Sequence, residues 1–438
     1  MWLPEIKKTN IKTYRFTLAA IVAVVMFIVI CMRAAAMTIA FDEAYTYYEY
    51  VRNLNFSFEG VIHLFQTGNS NNHMLNTICI AAVDKICQTP YVEWLIRFPN
   101  IFAGGVYLYV CYCMYKREYI HTTAFYCLIT GYYINGFFSL ARGYGIAVSC
   151  LCLCFYFYFS WRNSQFQKIR YAALIMFFYM LACMANTISL LLAPGLGLLC
   201  LIQMIRKKSL KRFLLSFWYG IGLTVAGILA MLIYHIRVTD SENEVLYMVE
   251  SNSFIESFFE NYAQMIVGYE RWKFAAGLFL LFVCVLGVVC FIMCFSRWMK
   301  TEKIQRGQLQ VPVFLFLFLS LAALIFLEAK SRGGSYVTGR AMMPFYPLIG
   351  LLIEDISVFF RGGKWKTAGS IIASVALALI SFSQLSVVSA REFDSEMGEK
   401  AYGYQSQYQE VEEYDGYLGT IAHFYEEQAN YLREYEEK

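Results

Sequence analysis

The sequence predicts an all-α polytopic membrane protein with about eleven transmembrane helices and extracytoplasmic surface helices in its first outer loop. Three observations predict this class. Of 438 residues, 59% are apolar and only 16% are charged, whereas soluble domains are about half apolar and a quarter charged. The apolar residues gather into runs long enough to cross a hydrocarbon layer roughly 30 Å thick. The basic residues between those runs fall on alternate loops, as the positive-inside rule requires. A soluble enzyme of one or two domains is excluded, and the 28 glycines and 7 prolines show no period that would suit a fibrous or disordered chain.

The apolar runs lie near 17–36, 98–115, 119–138, 143–160, 170–186, 188–205, 213–235, 273–295, 311–328, 341–360 and 367–389. The first follows Lys7, Lys8, Lys12 and Arg15 and precedes Ala34, Ala35 and Ala36, a pattern that resembles a signal peptide. An uncleaved helix is expected instead, because Asp42 and Glu43 just beyond it make sense when held at a membrane surface. With the amino terminus cytoplasmic, inner segments collect Lys116 and Arg117; Arg162, Lys168 and Arg170; Arg206, Lys207, Lys208, Lys211 and Arg212; Arg297, Lys300, Lys303 and Arg306; and Arg361, Lys364 and Lys366. The acids fall mainly on the other side. This makes a multi-pass plasma-membrane protein whose carboxy terminus is extracytoplasmic. The overall charge of +4 carries no nucleic-acid signal. The 14 cysteines sit in or beside apolar runs and read as small packing residues, without disulfide or zinc spacing.

Residues 1–390 form the multi-pass domain, and 391–438 form an acidic, tyrosine-rich extracytoplasmic tail. Apolar residues three and four apart in the tail, from Val411 to Tyr435, predict an amphipathic helix. It lies on the protein's own outer face or receives a partner or acceptor. The first outer loop, 42–95, reads as a surface helix through Asp42–Asn53, a turn over Gly68–Asn72 and a short helix over His73–Cys87, with Asn and Ser ahead of it as caps. No internal repeat is evident.

Polar residues at helix ends supply the candidate site. Asp42 and Glu43 directly follow a spanning helix; Asp42 is an N-cap of the surface helix or a titratable group facing a site. His73 and Asn76 lie one turn apart on one helix face, as interfacial hydrogen-bonders, as substrate contacts or, for His73 with Asp42, as ligands of a divalent metal. Arg97, Arg142, Arg332 and Arg340 recur at the outer ends of helices, where basic residues are otherwise scarce. Snorkelling explains any one of them; together they suit a phosphate or pyrophosphate, whose oxygens a guanidinium matches bidentately.

In this order, Asp42-Glu43-Ala44, Asn72-His73-Met74-Leu75-Asn76, Leu95-Ile96-Arg97-Phe98-Pro99-Asn100, Ala141-Arg142-Gly143-Tyr144 and, later, Gly339-Arg340-Ala341-Met342-Met343-Pro344 resemble the C-type glycosyltransferase superfamily. The likeness is greatest to its bacterial branch related to protein O-mannosyltransferases and to lipid A aminoarabinose and core-sugar transferases. It covers residues 15–200, with the later motif beyond. Many relatives have His-Pro-Pro where this chain has His73-Met74-Leu75, so the substrate is not carried over.

The resemblance implies transfer of a sugar from a polyprenyl-phosphate carrier to a lipid, glycan or protein acceptor on the outer face. It implies an acidic base, Asp42 first and Glu43 second. Arg142, Arg340 and Arg97 would contact phosphate, with Tyr144 beside Arg142. His73 and Asn76 would bind sugar or acceptor or orient Asp42. A transporter or flippase for a lipid-linked saccharide is the rival reading; its translocation would survive Asp42→Asn. A noncatalytic envelope scaffold is a second rival, tested by deleting the tail.

Overall fold

The computed structural model describes residues 8–36, 43, 46–51, 54, 56–67, 72–87, 93–131, 136–239, 248–250, 285, 313–331, 335–337 and 343–359. These are helical apart from one two-stranded ribbon. In chain order, α1 is Lys8–Ala36, followed by a π-helical turn at Thr46–Val51, α2 Phe58–Thr67, α3 Met74–Cys87, α4 Glu93–Lys116 and α5 Thr122–Ile129. Then come α6 Gly143–Asn163, α7 Arg170–Ala185, a 3₁₀ segment Thr187–Leu192, α8 Ala193–Arg206 and α9 Leu210–Thr239. Strand β1 Met248–Glu250 pairs antiparallel with β2 Ser335–Val337, α10 is Val313–Ser331, and α11 is Tyr346–Phe359.

Four stretches among the described residues, Thr13–Ala35, Gly143–Asn163, Thr187–Arg206 and Leu210–Val238, are long and apolar enough to cross a membrane. The expected runs at 273–295 and 367–389, and the tail, lie outside the described residues. Helix α6 is the centre of the bundle, with 83% of its span buried, against 33% for α1 and 22% for α9. The first helix packs a stripe of Ala19, Ala23, Met26, Ile30 and Ala34 inward and leaves Leu18, Ile21, Val25 and Ile28 exposed. Exposed apolar residues on a peripheral helix suit a hydrocarbon solvent, and small inward residues let helix backbones approach closely.

The run 119–138 is not one helix. Thr130 caps α5, and the chain leaves helical geometry there. A helix end inside a membrane protein exposes unsatisfied carbonyls. Here Tyr107 Oη donates to Leu128 O at 2.6 Å, Tyr346 Oη donates to Cys127 O at 2.7 Å, and Thr130 Oγ1 donates to Tyr126 O at 2.8 Å. The other end of α5 is capped from outside as well. The His121 side chain makes no cap hydrogen bond. Instead Glu354 of α11 accepts from the His121 backbone N–H at 2.7 Å and pairs with His121 Nδ1.

The run 188–205 is matched by the span Thr187–Arg206, whose first part is 3₁₀: Asn186 Oδ1 accepts from Ile188 N and starts that turn, and Pro194 then opens α8. In the first outer loop, helix α3 agrees with its predicted position, while α2, begun by Ser57 Oγ accepting from Gly60 N, is an additional helix. Of the predicted turn at Gly68–Asn72 only Asn72 is described; of the predicted surface helix through Asp42–Asn53, Glu43 and Thr46–Val51 are described, the latter as a π-helical turn.

Contacts fix which helix ends share a side. Arg15 pairs with Glu118 at 3.8 Å, Arg117 lies over Tyr156, Phe157 stacks on Tyr171, and Arg212 reaches Gln167 O. The loops carrying most of the described basic residues therefore share one end of the bundle. The ends of α1, α3, α4, α6, α7 and α9 that carry Ala34, His73, Arg97, Arg142, Ala185 and His235 share the other.

Candidate functional site

The second end holds a cluster of buried polar side chains. Glu43, Asn72, His73, Asn76, Thr77, Arg97, Asn100, Ser139 and Arg142 are all at most 6% exposed. Burial of this kind demands that each polar group find partners. Arg97 projects from the first two turns of α4. Its Nε and Nη2 donate to the two oxygens of Glu43 at 2.9 and 2.7 Å, and its Nη1 donates to Ala34 O, at the end of α1, at 2.8 Å. Neither side chain of this pair is exposed at all. Glu43 Oε1 also accepts the backbone N–H of Ala141.

Ala141 is bonded on both of its main-chain groups. Its carbonyl accepts from Asn76 Nδ2 at 2.9 Å, and Asn76 Oδ1 accepts from Asn100 Nδ2 at 2.7 Å. Asn76 and Thr77 come from α3, and Thr77 Oγ1 donates to Asn72 Oδ1 at 2.9 Å. His73, whose carbonyl accepts from Thr77 N, is itself the first cap of α3. The segment ahead of α6 is thus held by α3, by α4 and by Glu43.

His73 Nδ1 lies 3.0 Å from Ala185 O at the end of α7. A carbonyl only accepts, so Nδ1 carries the proton, and Nε2 is the basic nitrogen of the neutral ring. The ring meets Tyr144 edge-on at 4.6 Å, and Tyr144 in turn meets Phe137 at 5.1 Å. This packing leaves no room for a side chain at Gly143. A Cβ there would lie 2.1 Å from Ala185 O and 2.5 Å from His73 Cβ. Arg142, 1% exposed, occupies the N-cap of α6 in extended geometry, with its guanidinium 5.7 Å from the Tyr144 ring centroid. The guanidinium and the positive end of the helix dipole both favour an anion at this position.

Of the residues singled out in the sequence, Glu43, His73, Asn76, Arg97, Arg142 and Tyr144 come together in this cluster. Asp42, Arg332 and Arg340 lie outside the described residues. Arg97 and Glu43 are engaged with one another rather than open to a ligand. Sequence reasoning gave no role to Asn72 and Asn100, which it quoted only within motifs, and left out Thr77 and Ser139, whose Oγ donates to Ile30 O at 3.1 Å. Asn100 was readable, since it lies one turn from Arg97 on the same face of α4. The Ala141 and Ala185 main-chain groups carry no side-chain signal at all.

At the rim, Thr187 Oγ1 lies 3.2 Å from His235 Nδ1, and Arg237 donates to Phe65 O, tying α9 to the 3₁₀ segment and to α2. Burial pushes the Cys79 thiol of α3 above its ordinary range. Among the described residues no group of three or more His, Cys, Asp or Glu could hold a metal ion. Of the Asp42–His73 pair considered for a divalent metal, only His73 is described.

Fold and cluster together define a multi-pass helical membrane protein with a buried polar network at one end of the bundle. No family model, curated protein or solved structure matches the chain.

Proposed function

We propose that the chain is a membrane glycosyltransferase that moves a sugar from a polyprenyl-phosphate carrier to a lipid, glycan or protein acceptor, with Asp42 as general base. The end bearing the polar cluster is taken as extracytoplasmic, and the amino terminus as cytoplasmic, because the basic loops gather at the opposite end. The observation that carries the reading is the convergence of Glu43, His73, Asn76, Arg97 and Arg142 from four segments into one buried network next to Asp42 in the chain.

In the reaction, an acceptor hydroxyl attacks the anomeric carbon. Asp42 takes its proton, and the bond to the carrier oxygen breaks with its electron pair passing to the leaving phosphate. Arg142, at the α6 N-terminus, and Arg340 stabilise the charge that develops there. Single displacement inverts the anomeric centre. His73 Nε2 and Tyr144 are suited to contact sugar or acceptor hydroxyls. Asn76, bonded to Ala141 and Asn100, positions the Arg142 segment. Both oxygens of Glu43 hold Arg97, and one also holds Ala141 N–H, which favours Asp42 over Glu43 as the base. Arg97 then acts by fixing Glu43 rather than by meeting phosphate.

The test is incubation of the detergent-purified protein with radiolabelled polyprenyl-phosphate sugars. Wild type should release free carrier phosphate, and Asp42→Asn, eluting as a folded monodisperse species, should be slower by about 10² to 10⁴. Full turnover by Asp42→Asn would sink the base assignment. Movement of an intact lipid-linked saccharide across vesicles by that variant would favour a transporter instead.

A further inference from the structure

We infer that the loops joining α6 to α7 and α8 to α9 form one polybasic platform that binds an anionic glycerophospholipid of the surrounding bilayer. The platform lies at the end of the bundle opposite the polar cluster and stands independently of the proposed reaction.

From Gly143 to Thr239 the chain contains no acidic residue. The first loop carries Lys168 and the second Arg206, Lys207, Lys208 and Lys211, all exposed. The two loops are joined where Arg212 Nη2 donates to Gln167 O at 3.1 Å. Among the described residues none of the five exposed side chains has an ion-pair partner. Among the described residues, other basic side chains at this end have partners: Arg15 faces Glu118, Lys116 lies over Tyr112 and Arg117 over Tyr156. Within the described residues the two loops thus carry a cluster of cations with no acidic residue paired to it.

The surface beside these cations is apolar. Ile205 is 56% exposed, Leu215 69%, and Trp218 and Tyr219, whose rings stack, 58% and 74%. Trp and Tyr of this kind favour the headgroup level of a bilayer. A soluble anion would use only the cations. A phospholipid uses both features, its phosphodiester meeting the ammonium and guanidinium groups and its acyl chains lying along α8 and α9. The observations therefore favour a lipid over a nucleic acid or an acidic protein.

The experiment titrates the full chain, in a neutral detergent at low salt, with phosphatidylglycerol and separately with phosphatidylcholine, reading bound lipid by native mass spectrometry. Wild type should prefer phosphatidylglycerol, and the preference should shrink with added salt. The variant Lys207→Gln/Lys208→Gln/Lys211→Gln should bind phosphatidylglycerol about 10²-fold more weakly, about fivefold per charge removed, with phosphatidylcholine unaffected. Replacing the same three lysines by arginine should keep the preference, which separates loss of charge from loss of fold. Equal binding of the two lipids by wild type, or undiminished phosphatidylglycerol binding by the glutamine variant, would overturn the inference. So would displacement of the lipid by millimolar inorganic phosphate, which would assign the patch to a soluble anion.

Discussion

Removing one member of the Glu43–Arg97 pair should be far more damaging than removing both. In Glu43→Leu, the guanidinium of Arg97, with no exposure, loses two charge-assisted bonds of 2.9 and 2.7 Å, and the Ala141 N–H loses its acceptor. Breaking a buried pair in this way costs about 3–5 kcal/mol, which at the lower bound is roughly a 150-fold fall in the folded population. Arg97→Met should cost a similar amount, since the buried Glu43 carboxylate then loses its guanidinium. The double variant Glu43→Leu/Arg97→Met removes both charges. Among the described residues, what it leaves is the Ala141 N–H and the Ala34 carbonyl, each worth about 1–2 kcal/mol when unsatisfied. Its total should therefore be about 2–4 kcal/mol rather than the sum of the two singles. The assay is reversible unfolding in mixed micelles with a rising fraction of denaturing detergent, read by tryptophan fluorescence. Singles that fall within about 1 kcal/mol of wild type, or a double variant equal to the sum, would show that the two groups do not share a buried site.

Two further predictions probe helix packing elsewhere in the bundle. Gly143→Ala should yield little folded protein, because its Cβ meets the Ala185 carbonyl and the His73 Cβ, neither of which is the far end of a flexible side chain. Gly197→Ala on α8, with open space around it, should be neutral or stabilising by up to about 1 kcal/mol; size-exclusion profiles after heating compare the two, and equal behaviour would refute the close approach at α6. Cys111 on α4 and Cys152 on α6 have sulfurs 3.8 Å apart, so a membrane-permeable thiol oxidant should join them in a disulfide detectable by peptide mass spectrometry. Failure to cross-link would contradict the register of those two helices.

The apolar runs were legible because a bilayer imposes a minimum length that composition alone reveals. Runs 143–160 and 170–186 coincide closely with α6 and α7. Run 119–138 misled for a tertiary reason. Its α5 portion ends at Ile129 because hydroxyls of Tyr107 and Tyr346, 21 residues before and 219 after their acceptors, satisfy the carbonyls that a continuing helix would have used. The break between the runs 170–186 and 188–205 falls at Asn186, which caps the 3₁₀ turn; the 3₁₀ geometry of Thr187–Leu192 leaves no mark in so uniformly apolar a sequence. The same asymmetry holds at the polar cluster. Its charged members were visible as residues out of place at helix ends, but the pairing of Glu43 with Arg97 spans 54 positions, and no local pattern encodes it.

The cluster also separates two tasks that the sequence could not distinguish. Both main-chain groups of Ala141 are bonded, the N–H to Glu43 and the carbonyl to Asn76. Glu43 is held by α4 through Arg97, and Asn76 by α4 through Asn100. The residue just before Arg142 is therefore fixed from α3, from α4 and from the segment that follows α1, and Gly143 just after it is fixed against α7. The main chain that carries Arg142 cannot shift without breaking several buried hydrogen bonds. A charge carried on a fixed segment is the arrangement that stabilises a leaving group most. Glu43 and Arg97 neutralise one another and hold the main chain just ahead of Arg142, the N-cap of α6. In the proposed reaction the first pair supplies rigidity and Arg142 supplies the charge.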